Sequence, residues 1–431
     1  MSSILTNNGA MVALQTLKSI NSDMASTQSQ ISTGKNVASA KDNSAVWAIS
    51  KVMEADVKGF KGISDSLNLG QSTVTVARQA SETVTELLTD IKGKVVAAQE
   101  ENVDRDKIQT DIDALRDQIG AVVGAAQFNG LNLLQNTEKT AGTGTVNVLA
   151  SLDRSGAGVA ASDISVAKQD LGTAATVITG AAQATGGAEM SGAAAGASIT
   201  LTGAGAAPTT TFTIAPGGVA AGVGYSITLA GSAGNFTGAN TSSATGEPSE
   251  IMYVARDGDT AQDVFNALNT KMNDHLEGAG VADGELTMSF NSGTGAVSVT
   301  GSTSVGSNVG FRADTYAAAG NTIGGGLEDL ADIDVTTQAN VDQALTDIEG
   351  LIQTSIDAAA SFGSVQGRIE TQSEFISGLT DALKSGIGTL VDADMEETSA
   401  KLQALQVQQQ LGVQALSIAN QAPQQLLSLF R

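Results

Sequence analysis

The stretch that decides the fold runs from Val46 to Val95 and reads VWAISKVMEADVKGFKGISDSLNLGQSTVTVARQASETVTELLTDIKGKV. Mostly apolar side chains return along it every seven residues, at Val46, Met53, Phe60, Leu67, Val74, Ser81, Leu88 and Val95. A companion row follows three residues after the members of the first row, at Ile49, Asp56, Ile63, Gly70, Ala77, Val84 and Ile91. A seven-residue repeat predicts one long α-helix with an apolar stripe, on the order of 75 Å long at about 1.5 Å per residue.

A second stripe of the same period lies near the other end of the chain. Its members are Val341, Ile348, Ser355, Phe362, Ile369, Ile376, Leu383 and Leu390, with Leu345, Ile352, Ala359 and Ile387 four residues behind some of them. An apolar stripe that long is not stable in water, so we expect the two helices to pair with each other. The chain would run along a helical rod in one direction, form an inserted middle region and return along the same rod. This arrangement indicates a structural subunit rather than an enzyme.

The two chain ends add shorter helices. Residues 3–33 carry Leu14, Leu17, Met24 and Ile31 at helical spacing. The last segment carries two stripes on opposite sides, one of Ala404, Val407, Leu411, Ala415, Ile418 and Ala422, the other of Leu402, Leu405, Val413 and Leu416. A helix that is apolar on two sides must be enclosed on two sides. Because the N-terminal helix covers only one of them, we expect neighbouring copies of the chain to cover the other.

Local signals divide the first third of the chain. Residues 36–40 are expected to be a connector, and the residues from Lys41 to Ser44 offer N-caps for the long helix. Asp104 is predicted to cap a third helix with the stripe Ile108, Ile112, Leu115, Ile119, Val122 and Ala126. Asn129-Gly130 is a strong turn signal.

The middle of the chain, from about Thr140 to Gly326, is rich in Gly, Ala, Thr and Ser. Alternating runs within it predict short strands, at Ser198–Thr202, Thr211–Ile214, Tyr225–Leu229, Leu286–Phe290 and Ala296–Thr300. One helix is expected after Asp259-Thr260, with Val264, Phe265, Leu268 and Met272 on one face. The alternative is a disordered low-complexity insert.

The predicted fold class is therefore α + β and multidomain, an antiparallel coiled-coil rod from both chain ends with an inserted β or α + β outer domain. The predicted divisions are residues 1–44 and 395–431 for the two inner helices, 45–140 and 328–394 for the two halves of the rod, and 141–327 for the outer domain.

Composition excludes several classes of function. The chain has 431 residues, a formal charge of −23, no Cys and one His, so we expect neither nucleic-acid binding nor insertion into a membrane. Without Cys or a second His, zinc sites and His-based nucleophilic catalysis are excluded. We expect His275 to be a surface residue and Asp257-Gly258-Asp259 to be a turn with a helix cap instead of a calcium loop. We expect no cofactor, no metal and no enzymatic activity, since the middle domain offers no catalytic group.

Several motifs at the two ends resemble those of bacterial flagellin, in an alphaproteobacterial-like form. They are Ile31-Ser-Thr-Gly34 followed by Ser39-Ala-Lys-Asp-Asn43, Gln127-Phe-Asn-Gly-Leu131, Val365-Gln-Gly-Arg368-Ile369, and the segment from Ala419 to Arg431. The resemblance covers about residues 1–140 and 328–431. It implies a subunit that self-assembles into the extracellular flagellar filament. The alternative is the related junction protein between hook and filament, which shares these ends.

The resemblance also implies where the chain assembles and what it meets. Terminal helices of the family line an inner tube, which assigns self-assembly to Leu14, Leu17, Met24, Ile31, Val407, Leu411, Val413, Leu416 and Ile418. The rod seam is assigned to Val46, Met53, Phe60, Leu67, Ile348, Phe362, Ile369, Ile376 and Leu383. Implied partners are further copies of the chain, an export chaperone, and the cap and hook-junction proteins.

Two further expectations concern export and recognition by a host. The N-terminus has no basic region followed by an apolar core, so we expect export through the flagellar type III channel without a cleaved signal peptide. The stretch Leu88-Thr-Asp-Ile-Lys-Gly93 lacks the Arg-containing motif by which many flagellins engage Toll-like receptor 5. We therefore expect weak or absent recognition by that receptor.

Overall fold

The computed structural model describes residues 7–155, 158–183, 189–215, 218–241 and 248–429. Six α-helices lie in these residues: α1 Asn8–Thr33, α2 Ser44–Ala97, α3 Arg105–Ala125, α4 Ala261–Gly278, α5 Gln338–Val391 and α6 Met395–Leu429. All were predicted, although the expected start of α1 at residue 3 lies outside the described residues. No helix in the described ranges is long and apolar enough to cross a membrane.

Twelve strands lie in the same ranges. They are β1 Gln127–Phe128, β2 Leu131–Asn132, β3 Thr145–Ser155, β4 Gly158–Ala167, β5 Met190–Gly192, β6 Ile199–Thr202, β7 Thr209–Ile214, β8 Gly224–Ala233, β9 Ile251–Val254, β10 Thr287–Asn291, β11 Ala296–Thr300 and β12 Asn308–Tyr316. Strands β1 and β2 form a hairpin around Asn129 and Gly130, whose φ angles of 52° and 80° are the positive values that a two-residue turn needs.

The chain divides into two compact units. The first contains residues 1–65, 151–161 and 372–431, and the second contains residues 66–150 and 162–371. Both long helices contribute residues to each unit. The five-part division made from the sequence stays a prediction.

In the second unit, α2 and α5 pair in antiparallel orientation, as the sequence predicted. Gln71 donates a hydrogen bond to Glu370, Arg78 donates one to Gln366, and Lys92 forms an ion pair with Glu349. Partner numbers fall along α5 as they rise along α2, so the helices run in opposite directions.

The second unit also contains α3, residues 145–150 of β3 and residues 162–167 of β4. Asp104 caps α3 by accepting a hydrogen bond from the Lys107 N–H, as predicted. Strand β3 packs so closely on α2 that a Cβ on Gly70 would lie 2.6 Å from a methyl carbon of Val148. Glycine at this heptad position therefore lets strand and helix approach each other.

Two antiparallel four-stranded sheets form the outer part of the second unit, in the orders β10-β11-β7-β5 and β6-β12-β8-β9. They share one apolar core, in which Phe212 stacks on Phe311 with ring centroids 5.8 Å apart. Helix α4 covers this core with Val264, Phe265, Leu268, Met272 and Leu276. The prediction of an α + β insert is confirmed, and the disordered alternative is wrong for the described strands.

Helix α4 begins where the sequence indicated, with Thr260 as N-cap. The Thr260 hydroxyl and the Asp263 carboxylate exchange hydrogen bonds with each other's backbone N–H groups in a capping box. Asp259 accepts hydrogen bonds from the Tyr253 hydroxyl and the Arg256 N–H, which places the Asp257–Asp259 segment in a turn. The expectation that His275 is a surface residue is wrong, since its side chain is mostly buried and lies 3.5 Å from Glu250.

The chain enters and leaves the outer part of this unit through one narrow connection. Val177 and Thr322 form an antiparallel bridge, with N–H to carbonyl distances of 3.2 and 2.7 Å. Gly325 donates to the Ala174 carbonyl and Leu327 to the Gly172 carbonyl on the same side. Two neighbouring backbone segments therefore connect the sheets to the helices.

Candidate assembly surface

The two terminal helices pair with each other within the first unit. The Asn7 side chain caps α1 by accepting from the Ala10 N–H and also donates to the Ala419 carbonyl, at 2.8 Å. Gln409 donates to the Asn21 side chain at 2.7 Å, and a Cβ on Gly412 would lie 3.2 Å from Leu17. These contacts show that α1 and α6 are antiparallel, as the sequence predicted.

The side of α6 that faces α1 differs in part from the predicted stripe. Leu405 is buried and Leu402 and Leu416 are half-buried, but Val413 is exposed and Gly412 takes the contact position instead. On α1, Leu17, Met24 and Ile31 are half-buried, whereas Leu14 is exposed. Leu14 and Val413 are therefore not part of the contact between α1 and α6.

Outside the contact between α1 and α6, both helices expose large apolar residues. We call these residues the terminal stripe, consisting of Met11, Val12, Leu14, Val407, Leu411, Val413 and Ile418. Leu411 is 57% exposed and Ile418 is 69% exposed, although a buried leucine or isoleucine gains about 1.5–3 kcal/mol over an exposed one. Ala422 belongs to the same predicted stripe, but its side chain lies outside the described ones.

Charge is missing from the same surface. No Asp, Glu, Lys or Arg occurs among residues 402–430 or among residues 3–17, in a chain whose formal charge is −23. Between the apolar residues of α6 lie Gln403, Gln406, Gln408, Gln410 and Gln414, whose amides form hydrogen bonds without introducing charge. Identical copies can therefore approach each other here without electrostatic repulsion.

The connector between α1 and α2 is held by local hydrogen bonds. Gly34 ends α1 with a φ of 67°, and Asn43 caps α2 by accepting from the N–H groups of Ala45 and Val46. The Asp42 carboxylate accepts from the backbone and hydroxyl of Ser39 and from the Ala38 N–H. The hydrogen bonds from Ser39 lower the pKa of Asp42. The residues that resemble the family motif are thus those that reverse the chain.

The same connector is tied to the end of α5. Asn36 donates a backbone hydrogen bond to the Val391 carbonyl at 2.7 Å, and Ala393 donates one to the Gly34 carbonyl at 3.0 Å. Asp394 then caps α6 by accepting from the N–H groups of Glu396 and Glu397. Both turns that lead to the terminal helices are therefore fixed against each other.

The predicted rod seam is buried over most of its length. Leu67, Ile348, Phe362, Ile369 and Ile376 are buried, and Val46, Met53, Phe60 and Leu383 are half-buried. In the first unit, the end of the Met53 side chain lies 3.2 Å from the position that a Cβ on Gly386 would take. The assignment of a role in the rod to these residues remains a prediction.

Three details of the predicted stripes need correction. Ile49 is exposed, and Leu390 is exposed while its neighbour Val391 is buried. The buried companions on α5 are Ala344, Leu351 and Ala358, three residues behind the leading row and not four. An α-helix has 3.6 residues per turn, so a strict seven-residue row drifts across its surface and ends beside the true buried face.

Polar side chains occupy one layer of the seam. Ser81 and Ser355 are fully buried, and the Ser355 hydroxyl lies 2.8 Å from the Thr85 hydroxyl and 3.1 Å from the Ser81 carbonyl. Every one of these hydroxyl groups has a hydrogen-bond partner, so the layer is satisfied without water. A buried polar layer opposes sliding of one helix along the other.

Residues 4–140 match the bacterial flagellin N-terminal helical region, and residues 338–430 match the bacterial flagellin C-terminal helical region. Flagellin A of Rhizobium meliloti is 37% identical over 434 residues, with 100% of both chains covered. The chain belongs to the bacterial flagellin family. This flagellin is therefore a structural subunit of the flagellar filament, outside the cell.

Further similarities agree with this assignment. Flagellin D of Rhizobium meliloti strain 1021 is 33% identical, with 100% of both chains covered, and flagellin FljK of Caulobacter vibrioides is 29% identical, with 100% and 99% covered. Among solved structures, FlgL of Xanthomonas campestris has a TM-score of 0.31 at 12% identity and covers 78% of this chain and 98% of its own. FliC of Burkholderia pseudomallei has a TM-score of 0.28 at 14% identity, covering 69% and 99%. TM-scores this low do not favour the junction protein over the filament subunit.

The described residues offer nothing that resembles a metal centre. Within the ranges given above, no group of three or more His, Asp or Glu side chains is arranged to hold a metal ion.

Proposed function

We propose that copies of this flagellin assemble through the terminal stripe of α1 and α6. The observation that carries this proposal is an apolar surface without charge on a helix pair that buries few of its own residues. In α1, Thr27 is the single buried residue among those described, and in α6 Thr398 and Leu405 are buried among the described side chains. Apolar patches of this kind on soluble chains mark protein–protein contacts.

The energetics favour coupling of folding to assembly. Helices that bury little apolar surface are marginal in water, because the entropy lost on ordering them is not offset by packing. In isolated monomer we therefore expect α1 and α6 to be largely unfolded and to become ordered when neighbouring copies cover the terminal stripe. Protection of these residues from protease in dilute monomer would contradict this expectation.

A single charge tests the proposed surface. Leu411→Asp places a carboxylate in the terminal stripe, and we expect the critical concentration for polymerisation to rise at least about a hundredfold, because both apolar burial and desolvation of the charge oppose assembly. The matched control is Val305→Asp, at an apolar residue that is 83% exposed in the outer part of the second unit. Sedimentation and electron microscopy measure both variants. Equal critical concentrations for the two variants would refute the proposal.

The same chain ends are our candidates for contacts with other flagellar proteins. An export chaperone, the cap and the hook-junction proteins would each cover apolar helix faces that the free chain leaves open, and export would proceed without removal of a signal peptide. N-terminal sequencing of protein taken from filaments tests the last point. A mature chain that begins well inside α1 would contradict it.

We further propose that this flagellin engages Toll-like receptor 5 weakly or not at all. Thr89 and Asp90 are exposed on α2, within the stretch that corresponds by resemblance to the Arg-containing motif of many flagellins. A guanidinium presents a planar fork of donors that neither side chain replaces, and Asp90 has the opposite charge. Loss of a buried charged contact commonly costs several kcal/mol, which is a hundredfold or more in affinity. A half-maximal response of receptor-expressing cells to picomolar monomer would refute the proposal.

We infer that the subunit has no catalytic role and uses no cofactor. The inference rests on the composition, with no Cys and one His, and on the purely structural hydrogen bonds of the buried polar groups described above.

A further inference from the structure

A cleft lies between α4, the 3-10 helix Glu328–Ala331 and α5, all within the second unit. Its volume is about 620 Å³, and its lining includes five carboxylates, at Glu250, Asp274, Asp329, Asp332 and Asp347. Lys271 is a cation in the same lining, which also includes the imidazole of His275. A cleft with this composition holds an excess of negative charge at the point where α4 faces the helix that carries half of the seam.

The positive charges offset only part of this excess. Lys271 forms ion pairs with Glu328 at 2.8 Å and with Asp329 at 3.2 Å, and its side chain is mostly buried. On the α5 side, Asp347 accepts a hydrogen bond of 2.8 Å from Gln343. The Nδ1 atom of His275 lies 3.5 Å from Glu250. The Nε2 atom of the same ring is buried and has no hydrogen-bond partner. Asp274 therefore has no cation of its own.

The burial and the neighbouring charges of the cleft act most strongly on the pKa of Asp274. Burial, followed by the nearby charges of Asp347, Asp329 and Glu277, raises its pKa to about 7, against an opposing effect of Lys271. Burial also raises the pKa of Asp332 and of Asp347. The charged groups around Asp274 are Lys271, His275 and Glu277 on α4, Glu328, Asp329 and Asp332 in and after the 3-10 helix, Asp347 on α5, and Glu250 before β9.

We propose that this cleft is a pH-sensitive joint, which holds α4 against α5 when its carboxylates carry protons and loosens when they lose them. The elements on either side belong to different parts of the unit, α4 to the sheets and α5 to the long helix pair. Proton uptake removes like charges that Lys271 offsets only in part. The outer sheets would thus be held more tightly to the helices in mildly acidic surroundings than in alkaline ones.

The direction follows from proton linkage. A carboxyl group whose pKa is raised in the closed state binds its proton more tightly there than in the opened state, so opening releases the proton. The free energy of opening therefore falls as the pH rises from about 4 to about 7 and is then constant. For Asp274 alone, the opened fraction grows about tenfold between pH 6 and pH 8.

Hydrogen exchange of the full-length monomer at pH 6 and pH 8 tests the joint, after correction for intrinsic exchange rates. We expect the amides of α4 and of residues 340–354 to open about tenfold more at pH 8. Asp274→Asn mimics the protonated group and should remove most of this difference. The control is Asp283→Asn, which removes the same charge at an exposed position after α4 and should leave the difference intact.

The comparison of the two variants decides the proposal. If Asp274→Asn keeps the wild-type ratio between pH 8 and pH 6, or if Asp283→Asn loses it equally, the joint does not exist. Asp347→Asn repeats the test from the α5 side, in case the first variant does not fold. A smaller loss than for Asp274→Asn is expected there and supports the proposal, while no loss in either variant refutes it.

Discussion

The α2–α5 pair and the α1–α6 pair are built on the same principle but differ in how completely they bury their apolar side chains. Both are antiparallel helix pairs with apolar residues at heptad spacing. In the second unit, the leading and companion rows of α2 are buried at nearly every turn, including Leu67, Val74, Ala77, Val84 and Leu88. The terminal pair leaves a comparable set of large apolar residues exposed. Periodicity thus shows which residues face a partner, but not whether that partner belongs to the same chain.

Charge separates the two pairs just as clearly. The outer surface of the α2–α5 pair carries ion pairs such as Lys92–Glu349 and Arg78–Glu82, while the terminal stripe lies in sequence without charge. Exposed ion pairs contribute little to stability but favour a surface that stays in water. The absence of charge from residues 402–430 agrees with the assembly surface proposed above.

The largest expected effect on assembly comes from removing most of α6, which exposes large apolar residues in the monomer. Deleting residues 400–431 should abolish filament formation, because α6 supplies most of the terminal stripe. The second unit should remain folded, since none of residues 400–431 belongs to it. Electron microscopy and circular dichroism measure the two outcomes, and filaments formed by the truncated chain would contradict the comparison.

The next effect separates the pairs by single substitutions. Phe362→Ala empties a fully buried position and should lower the free energy of unfolding of the monomer by about 3–5 kcal/mol. Leu411→Ala should change it by less than about 0.5 kcal/mol, because the side chain is exposed in the monomer. Urea denaturation measures both variants. A large loss for Leu411→Ala would mean that the monomer itself buries this residue.

How far the sequence predicted the molecule depends on the region. Heptad rows predicted α2 and α5, and Asn43, Asp104 and Thr260 occupy capping positions that the sequence indicated. Of the terminal stripe, Leu14 and the residues on α6 were predicted as assembly residues, whereas Met11 and Val12 were not. The side of α6 that α1 covers could not be predicted, because apolar residues on two sides of a helix do not say which side its partner occupies.

Strands β9 and β12 were not predicted from the sequence, and each omission has a physical reason. Strand β9 is a run of apolar residues without alternation, which is typical of a strand that is buried on both faces. Strand β12 alternates Val309, Phe311 and Ala313 with Gly310, Arg312 and Asp314. Gly and Asp are depleted in strands, which weakens the signal, and the ion pair of 2.6 Å between Arg312 and Asp314 is visible only in the structure. The carboxylate cleft could not be predicted, since it joins residues far apart in sequence.

A smaller effect is expected at the polar layer of the seam. Ser355→Ala removes the hydrogen bonds to Thr85 and to the Ser81 carbonyl, while Thr85 keeps its own bond to that carbonyl. The free energy of unfolding should fall by about 1 kcal/mol. Ser364→Ala, at an exposed position on the same helix, serves as the control. Equal effects of the two substitutions would show that the buried layer does not stabilise the pairing.

The smallest effect on assembly is expected from the largest deletion. Removing residues 178–321 and joining Val177 to Thr322 by Asn-Gly takes away both four-stranded sheets and α4 but keeps the antiparallel bridge at which the chain leaves the helices. A two-residue Asn-Gly turn closes such a bridge without strain. Neither the α2–α5 seam nor the terminal stripe contains residues from this segment, so the shortened chain should still polymerise. Because distant sites that share no contacts contribute nearly independently to the free energy, its critical concentration should lie within about threefold of that of the full chain. If the shortened chain is folded and forms no filaments, the outer sheets supply contacts between copies, and assembly does not rest on the helix pairs alone.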